Sequence, residues 1–402
     1  MEVELSSVLL YLAVYLVAAK LADVLAARLG QPGVFGELIV GIIIGPSIAG
    51  VISSFLGLSL YIDPSAPAGQ FMSLLGELGI IILMFIAGLS IDVSEFRRAG
   101  KPSTIVAASG VVVAFLLGFG AASIFGWTPI EAGFAGGILV ATSVGITVRT
   151  LMEINVLHTK VGMTILGAAV IDDVMGIIVL SILSGLAFGS LSFFGVFETL
   201  ALMGVFFAVV LSVGFKLIPR VLAYVGRFNV EEIVLSFTLA IVFLIAAMAE
   251  MVSIAAITGA FLVGLIASKT PAAHIIRDKA ATVGYSFLIP LFFVNMGIKT
   301  DLQALSAVSI LALVFLAIAI FSKIVGCGLG ALLSGYGLKD SLRVGVGMMP
   351  RAEVALIMAA IGAKASVVGQ SLLSMTVMVV LLTSLVTPPM VKIAFRGAER
   401  ER

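Results

Sequence analysis

The chain has 402 residues, of which 61% are apolar and only 11% charged, with a formal net charge of +1. About a quarter of the residues of a soluble domain are charged, so this polypeptide lacks the polar surface to cover a water-soluble fold. Without a basic tract it has no means of neutralising a nucleic-acid backbone, and its single cysteine, Cys327, excludes an internal disulfide and a cysteine metal cluster.

A spanning helix with a short loop takes about 30 residues, which predicts an all-α polytopic membrane protein, one transmembrane domain over 1–402 in contact with the lipid bilayer. Apolar runs broken by glycine, proline and charge clusters predict thirteen spans. They are Ser6 to Leu29, Gly33 to Gly50, Gln70 to Ile91, Pro102 to Phe125, Pro129 to Leu151, Val161 to Phe188 and Phe194 to Leu222. Then follow Ile233 to Val252, Ser253 to Ala267, Ala280 to Gly297, Leu302 to Leu333, Ser341 to Ala363 and Val368 to Phe395. Only Glu250 to Ser253 divides the eighth from the ninth. The first follows Met1-Glu2-Val3-Glu4 with no basic stretch ahead of it, the pattern of a retained span rather than a cleaved signal.

An odd count puts the termini on opposite faces, and lysine and arginine decide which is which, because they are retained in cytoplasmic loops. Of the 23, Lys299 and Lys364 fall on one side, and Lys20, Lys323 and Arg351 fall within spans. All others fall on the opposite side, from Arg28 through Arg97, Arg98, Lys101, Arg149 and Lys160 to the tail Lys392, Arg396, Arg400 and Arg402. The N-terminus is therefore expected outside and the C-terminus in the cytoplasm.

Thirteen spans divide into six, a linker and six, in which case the halves have opposite orientation, an inverted repeat. Broken spans support this. Span 5 carries Ala141-Thr142-Ser143-Val144-Gly145-Ile146-Thr147, and span 12 carries Gly345-Val346-Gly347-Met348-Met349-Pro350-Arg351, where proline removes a backbone donor. Each is fifth in its half, which points to a substrate site at the repeat interface.

Span 6 contains Asp172 and Asp173, adjacent acids in the apolar sequence GAAVIDDVMG. A charge at the bilayer centre costs about 2.5–3.5 kcal/mol, so two require a watery cavity or a cationic partner, and Lys323 is the candidate. At 1.5 Å per residue, Asp172 lies roughly 18 Å from Lys160, Lys323 roughly 24 Å from Lys339, and Pro350 and Glu353 about 17 and 21 Å from Lys339. All share a depth near the midplane. Adjacent helical residues point about 100° apart, so one aspartate faces Lys323 while the other projects into the cavity between the broken helices. Oxygen ligands from a carboxylate, Thr142, Ser143 and unwound carbonyls suit an alkali cation or a proton.

Other polar residues have plainer readings. Arg351 and Glu353 serve either as an internal brace or as ion ligands. Glu37, Glu77 and Glu250 either line a cavity or sit solvated near span ends. Lys20 and Asp23 form a local pair, His158 and His274 lie at loop edges, and the small-residue motifs such as Gly41 to Gly45 and Gly326 to Gly330 pack helices.

The Asp172-Asp173 pair, the ATSVG segment, Lys323 in FSKIVG and MMPRAEVALI together resemble the cation:proton antiporter superfamily, in its electrogenic prokaryotic sodium/proton branch with adjacent aspartates. The resemblance covers nearly the whole chain. It implies that Asp173 carries cation and proton, that Asp172 pairs with Lys323 and is released on ion binding, and that Thr142 and Ser143 help to coordinate sodium, with Pro350, Arg351 and Glu353 supporting. It also implies a homodimer in the prokaryotic cytoplasmic membrane. A mobile ion-binding core, 102–188 and 303–395, would move against a dimerising scaffold, 1–92 and 194–298.

The expected function is exchange of sodium or lithium for protons by alternating access, with no cofactor and no enzymatic step. Potassium/proton exchange is the alternative on the same scaffold. The resemblance also implies that several relatives that move potassium carry a large cytoplasmic nucleotide-binding domain after the last span, so the end at Arg402 disfavours that ligand-gated subgroup. An ion channel fits poorly with carboxylates paired to a lysine on broken helices. An intramembrane aspartyl protease needs its aspartates on separate helices, so that they can share a proton across a substrate.

Overall fold

The computed structural model describes residues 4–56, 61–189, 193–228, 230–300 and 310–397, without the side chains of 54–56, 193, 353 and 370. The described residues form helices α1 (Leu5–Arg28), α2 (Gly33–Ile44), α3 (Val51–Leu56), α4 (Pro67–Leu89), α5 (Val93–Ile124), α6 (Pro129–Val140), α7 (Val144–Glu153), α8 (Lys160–Ala187) and α9 (Phe193–Val225). These are followed by α10 (Ile233–Met251), α11 (Ala256–Ala267), α12 (Ala273–Val283), α13 (Ile289–Ile298), α14 (Ile310–Leu333), α15 (Leu338–Gly347), α16 (Glu353–Lys364) and α17 (Gln370–Ala394). No strand occurs among them. Among the described residues, eleven helical segments are long and apolar enough to cross a membrane, so this is a multi-pass membrane protein.

Most expected spans correspond to helices with shifted ends. The ninth is the twelve-residue α11, and the twelfth is the pair α15 and α16. The tenth starts earlier than expected, at Ala273, and runs through a π turn at Gly284–Leu288 to Ile298. The fourth also starts early. Arg97, Arg98 and Lys101, expected in a loop, lie on exposed turns of α5, and Pro102 sits inside that helix. Proline removes one helical bond there, but Ala99, Ser103 and Val106 on the inner face are buried and keep the backbone helical. The start of the eleventh span, and the tail residues Arg400 and Arg402, lie outside the described residues.

The chain divides into two compact units, Met1–Asp92 with Val210–Met248 and Ala256–Gln303, and Val93–Val209 with Ala249–Ala255 and Ala304–Arg402. In the first, α1, α2, α4 and α13 pack around Tyr15, Met72, Leu291 and Val294. Helices α2 and α13 approach closely enough that a methyl at Gly41 would strike the Val294 carbonyl, and one at Gly297 the Leu38 carbonyl. Dispersion from such close backbone contact holds helices together where lipid tails offer no hydrophobic drive.

In the second unit α5, α6, α8, α14, α16 and α17 surround a core containing Phe134, Phe315, Met358 and Met378. Trp127 stacks on Phe315 with ring centroids 5.7 Å apart. Two helix starts are fixed by sequence. Thr128 and Glu131 form a capping box with Pro129 in the first turn of α6, and the Thr159 hydroxyl accepts from the Gly162 amide, 3.0 Å away, at the start of α8.

Candidate functional site: a buried acid–lysine pair beside two helix breaks

The site lies wholly within the second unit. Helix α8 has 28 residues and carries Asp172 and Asp173 at its middle, both buried. The Lys323 ammonium of α14 donates to Asp172 Oδ1 at 2.5 Å, and both side chains are fully enclosed. Asp172 is thus the acid that meets the lysine. Its Oδ2 accepts no hydrogen bond from the described residues. Asp173, one residue on, is turned about 100° away on the helix.

Two unwound segments meet beside this pair. Residues 141–143 separate α6 from α7, and 348–352 separate α15 from α16. Donors of the first segment and of α7 satisfy carbonyls at the second. The Ser143 amide donates to the Pro350 carbonyl at 2.7 Å, the Thr147 hydroxyl to the Gly347 carbonyl at 2.6 Å, and the Thr142 hydroxyl to the Met348 carbonyl at 3.5 Å. Pro350 has no amide hydrogen of its own, so the second segment cannot rewind through it. Helix α8 runs alongside: a methyl at Gly347 would strike Ile165, and one at Gly176 would meet Val354 at 3.9 Å.

Arg351 is the largest fully buried side chain among the described residues. Its guanidinium donates to the Ala141 carbonyl at 2.9 Å, to the Ala319 carbonyl at 2.9 Å and to Ser322 Oγ at 3.4 Å. Its backbone is held by α17, the amide donating to Thr383 Oγ1 at 3.1 Å and the carbonyl accepting from Ser384 Oγ at 3.0 Å. A cation therefore sits on the carbonyl that follows the C-terminal, negative end of α6, and ties that break to the helix of Lys323. Of the two readings of Arg351, this geometry favours the brace. Replacing it by leucine strands two buried carbonyls at about 1 kcal/mol or more each. Arg351→Leu is expected to lose about 2–3 kcal/mol, read as a lowered unfolding midpoint in detergent, and Arg351→Lys, reaching one carbonyl, about half of that.

The structure thus brings together Asp172, Lys323, Thr142, Ser143, Pro350 and Arg351, with Asp173 adjacent on α8. Glu353 opens α16, but its side chain lies outside the described residues. Sequence reasoning missed Thr147, Ser322, Thr383 and Ser384. The only available signal for them was a hydroxyl in an apolar helix, which usually bonds its own i−4 carbonyl, as Thr150 does to Ile146. It also counted Arg149 and Arg343, at the ends of spans 5 and 12, with the loop charges that set the orientation. Arg149 is buried in α7 with Glu153 at 2.6 Å, and Arg343 in α15 pairs with Asp340 at 2.7 Å and donates to the Ala394 carbonyl.

Tyr336, between α14 and α15, joins its hydroxyl to that of buried Thr164 on α8 at 2.6 Å, under the Lys160 ammonium at 4.4 Å from its ring. Burial pushes this phenol above its usual range, against the lowering effect of the Thr164 hydrogen bond. Among the remaining residues singled out from sequence, Lys20 pairs with Asp23 at 2.9 Å, and His274 with Asp278 at 2.7 Å on an exposed surface. His158 is exposed, Glu37 is fully buried, and Glu77 and Glu250 are exposed.

A helical membrane protein with buried opposite charges where two interrupted helices meet has the layout of a membrane transporter. The particular family follows from comparison: the profile described as "Sodium/hydrogen exchanger, transmembrane" matches residues 12–397, and the chain belongs to that family of transporters. It is 37% identical over 386 residues to the probable Na(+)/H(+) antiporter GerT of Bacillus cereus, covering 95% of this chain and 97% of the relative. It is 34% identical over 394 residues to the Na(+)/H(+)-K(+) antiporter GerN of the same organism, covering 97% and 96%. The fold is shared with the sodium proton antiporter MjNhaP1 of Methanocaldococcus jannaschii, with a TM-score of 0.71 over 98% of both chains at 17% identity.

Proposed function

We propose that this chain exchanges sodium or lithium for protons across the prokaryotic cytoplasmic membrane. The observation that carries the reading is the enclosed contact between Lys323 and Asp172 with Asp173 beside it, next to two helix breaks. A dehydrated alkali ion needs anionic oxygen. Asp173, an Asp172 released from Lys323, and the hydroxyls of Thr142 and Ser143 would supply it. The same carboxylates hold protons when the ion is absent. One site that takes either cargo, never both, makes the transporter an exchanger. If Lys323 also gives up its proton when Asp172 turns to the ion, more than one proton moves per cation and the cycle is electrogenic.

The remaining parts of the proposal are architectural. Thirteen spans in two inverted repeats, with the broken spans 5 and 12 crossing, put the N-terminus outside and the C-terminus in the cytoplasm. Segments 102–188 and 303–395 form the mobile core, and 1–92 and 194–298 the scaffold of a homodimer. Alternating access is movement of that core.

A second reading, potassium/proton exchange, is favoured by one observation, the similarity to GerN, a Na(+)/H(+)-K(+) antiporter. Dequenching of a pH dye in proteoliposomes, with sodium, lithium and potassium added in turn, separates the two. Sodium and lithium are expected to dequench and potassium not to. Because cation and proton compete, lowering the pH should raise the sodium concentration for half-maximal exchange, with the rate recovered at saturating sodium. A half-maximal concentration independent of pH would remove the shared site.

A further inference from the structure

Glu77 lies near the middle of the 23-residue α4, about 15 Å along the helix from Pro67, and its side chain is exposed. It makes no hydrogen bond or ion pair with the described residues. An ionised carboxylate at that depth costs several kcal/mol in hydrocarbon. Something polar must cover this face of the first unit.

The surrounding residues indicate what. Gln70, Ser73 and Glu77 follow one another at i, i+3 and i+7, a single stripe along α4 from its Pro67 end to its centre. Behind the stripe, Asn295 of α13 is buried, its amide donates to Ser73 Oγ at 3.1 Å, and its carbonyl oxygen accepts from Tyr15 at 3.4 Å. The polar edge is thus backed by further polar groups of the same unit rather than isolated among leucines. The other edge of the exposed face is apolar, with Phe71, Leu74 and Leu78. A helix with a polar edge ending at an exposed mid-span acid lines water.

We propose that the Gln70–Ser73–Glu77 stripe forms one wall of a water-filled passage open to the outer face, in which Glu77 attracts hydrated monovalent cations. This rests on the exchanger reading and deepens it, since Glu77 would raise the local cation concentration without coordinating the bound ion. Such focusing acts on the half-saturating concentration more than on the maximal rate, and salt screens it.

Two measurements on the full chain in proteoliposomes test it. In the first, Glu77→Cys is treated with a membrane-impermeant thiosulfonate, with the native chain as the blank because its only cysteine, Cys327, is fully buried. Rapid labelling from the outer face is expected. Labelling from neither face, as contact with lipid or a second subunit would give, overturns the proposal, and so does labelling only from the inner face. In the second, Glu77→Gln should raise the half-maximal sodium concentration about threefold to tenfold at low ionic strength, with the maximal rate kept and the difference lost in concentrated choline chloride. An unchanged value at low ionic strength overturns the cation-attracting role. Labelling does not depend on transport, so failure of the exchanger reading, seen as a native chain without sodium/proton exchange, is distinguishable from failure of the passage.

Discussion

Replacing Asp173 by asparagine is expected to abolish exchange while leaving the fold intact. The amide keeps the shape of the side chain and removes its charge from a buried position next to Asp172. An attraction between unit charges 4 Å apart is about 4 kcal/mol at an effective dielectric constant of 20, so cation binding should fall by about three orders of magnitude. The amide also cannot carry a proton, which removes the return half of the cycle. Stability should be unchanged or raised, because one of two neighbouring like charges in an apolar helix has gone. Sodium-dependent dequenching in proteoliposomes, with the unfolding midpoint measured in parallel, decides it. Exchange at native rates would leave Asp173 without the role assigned to it.

Replacing Lys323 by methionine has the largest expected effect on stability. Lys323 and Asp172 are in contact with no exposed surface on either side chain, so removing the lysine leaves Asp172 a buried charge without its contacting partner. Breaking such a pair typically costs about 3–5 kcal/mol, whereas replacing both members by neutral groups is close to neutral. Lys323→Met should therefore unfold far below the native chain in detergent, and the double variant with Asp172→Asn should recover most of the loss. The single tryptophan, Trp127, stacks on Phe315 of the same helix as Lys323 and provides the signal. Equal midpoints for single and double variants would show the contact to be energetically idle. The same variant tests the proton-releasing role of Lys323: if exchange retains its full dependence on membrane potential, the lysine takes no part in moving charge.

Much of the site was legible in sequence because apolar surroundings make polar residues conspicuous. Asp172, Asp173, Lys323 and Arg351 are visible as charges inside long hydrophobic runs, and Pro350 marks an interruption that no packing can undo. Helix ends were less legible. Charges at 97–101 read as a loop with the span starting at Pro102, yet α5 passes through, because burial of Ala99, Ser103 and Val106 outweighs the loss of one hydrogen bond. The pairing of Thr147 with Gly347, and of Arg351 with Ala141, left no trace in local pattern.

Sequence by itself determined the solvent, the class of fold and the two places where helices break. Those follow from the free energy of a residue in lipid and from the covalent limits of proline, which act wherever the chain goes. Local pattern left open which aspartate meets the lysine, the family resemblance implied Asp172, and the tertiary contact is with Asp172; tertiary structure alone decided that the two breaks satisfy each other's backbone. It also decided that the arginine serves as a brace. Each of these joins residues more than a hundred positions apart or depends on the rotation of one helix against another, which hydropathy along the chain does not encode.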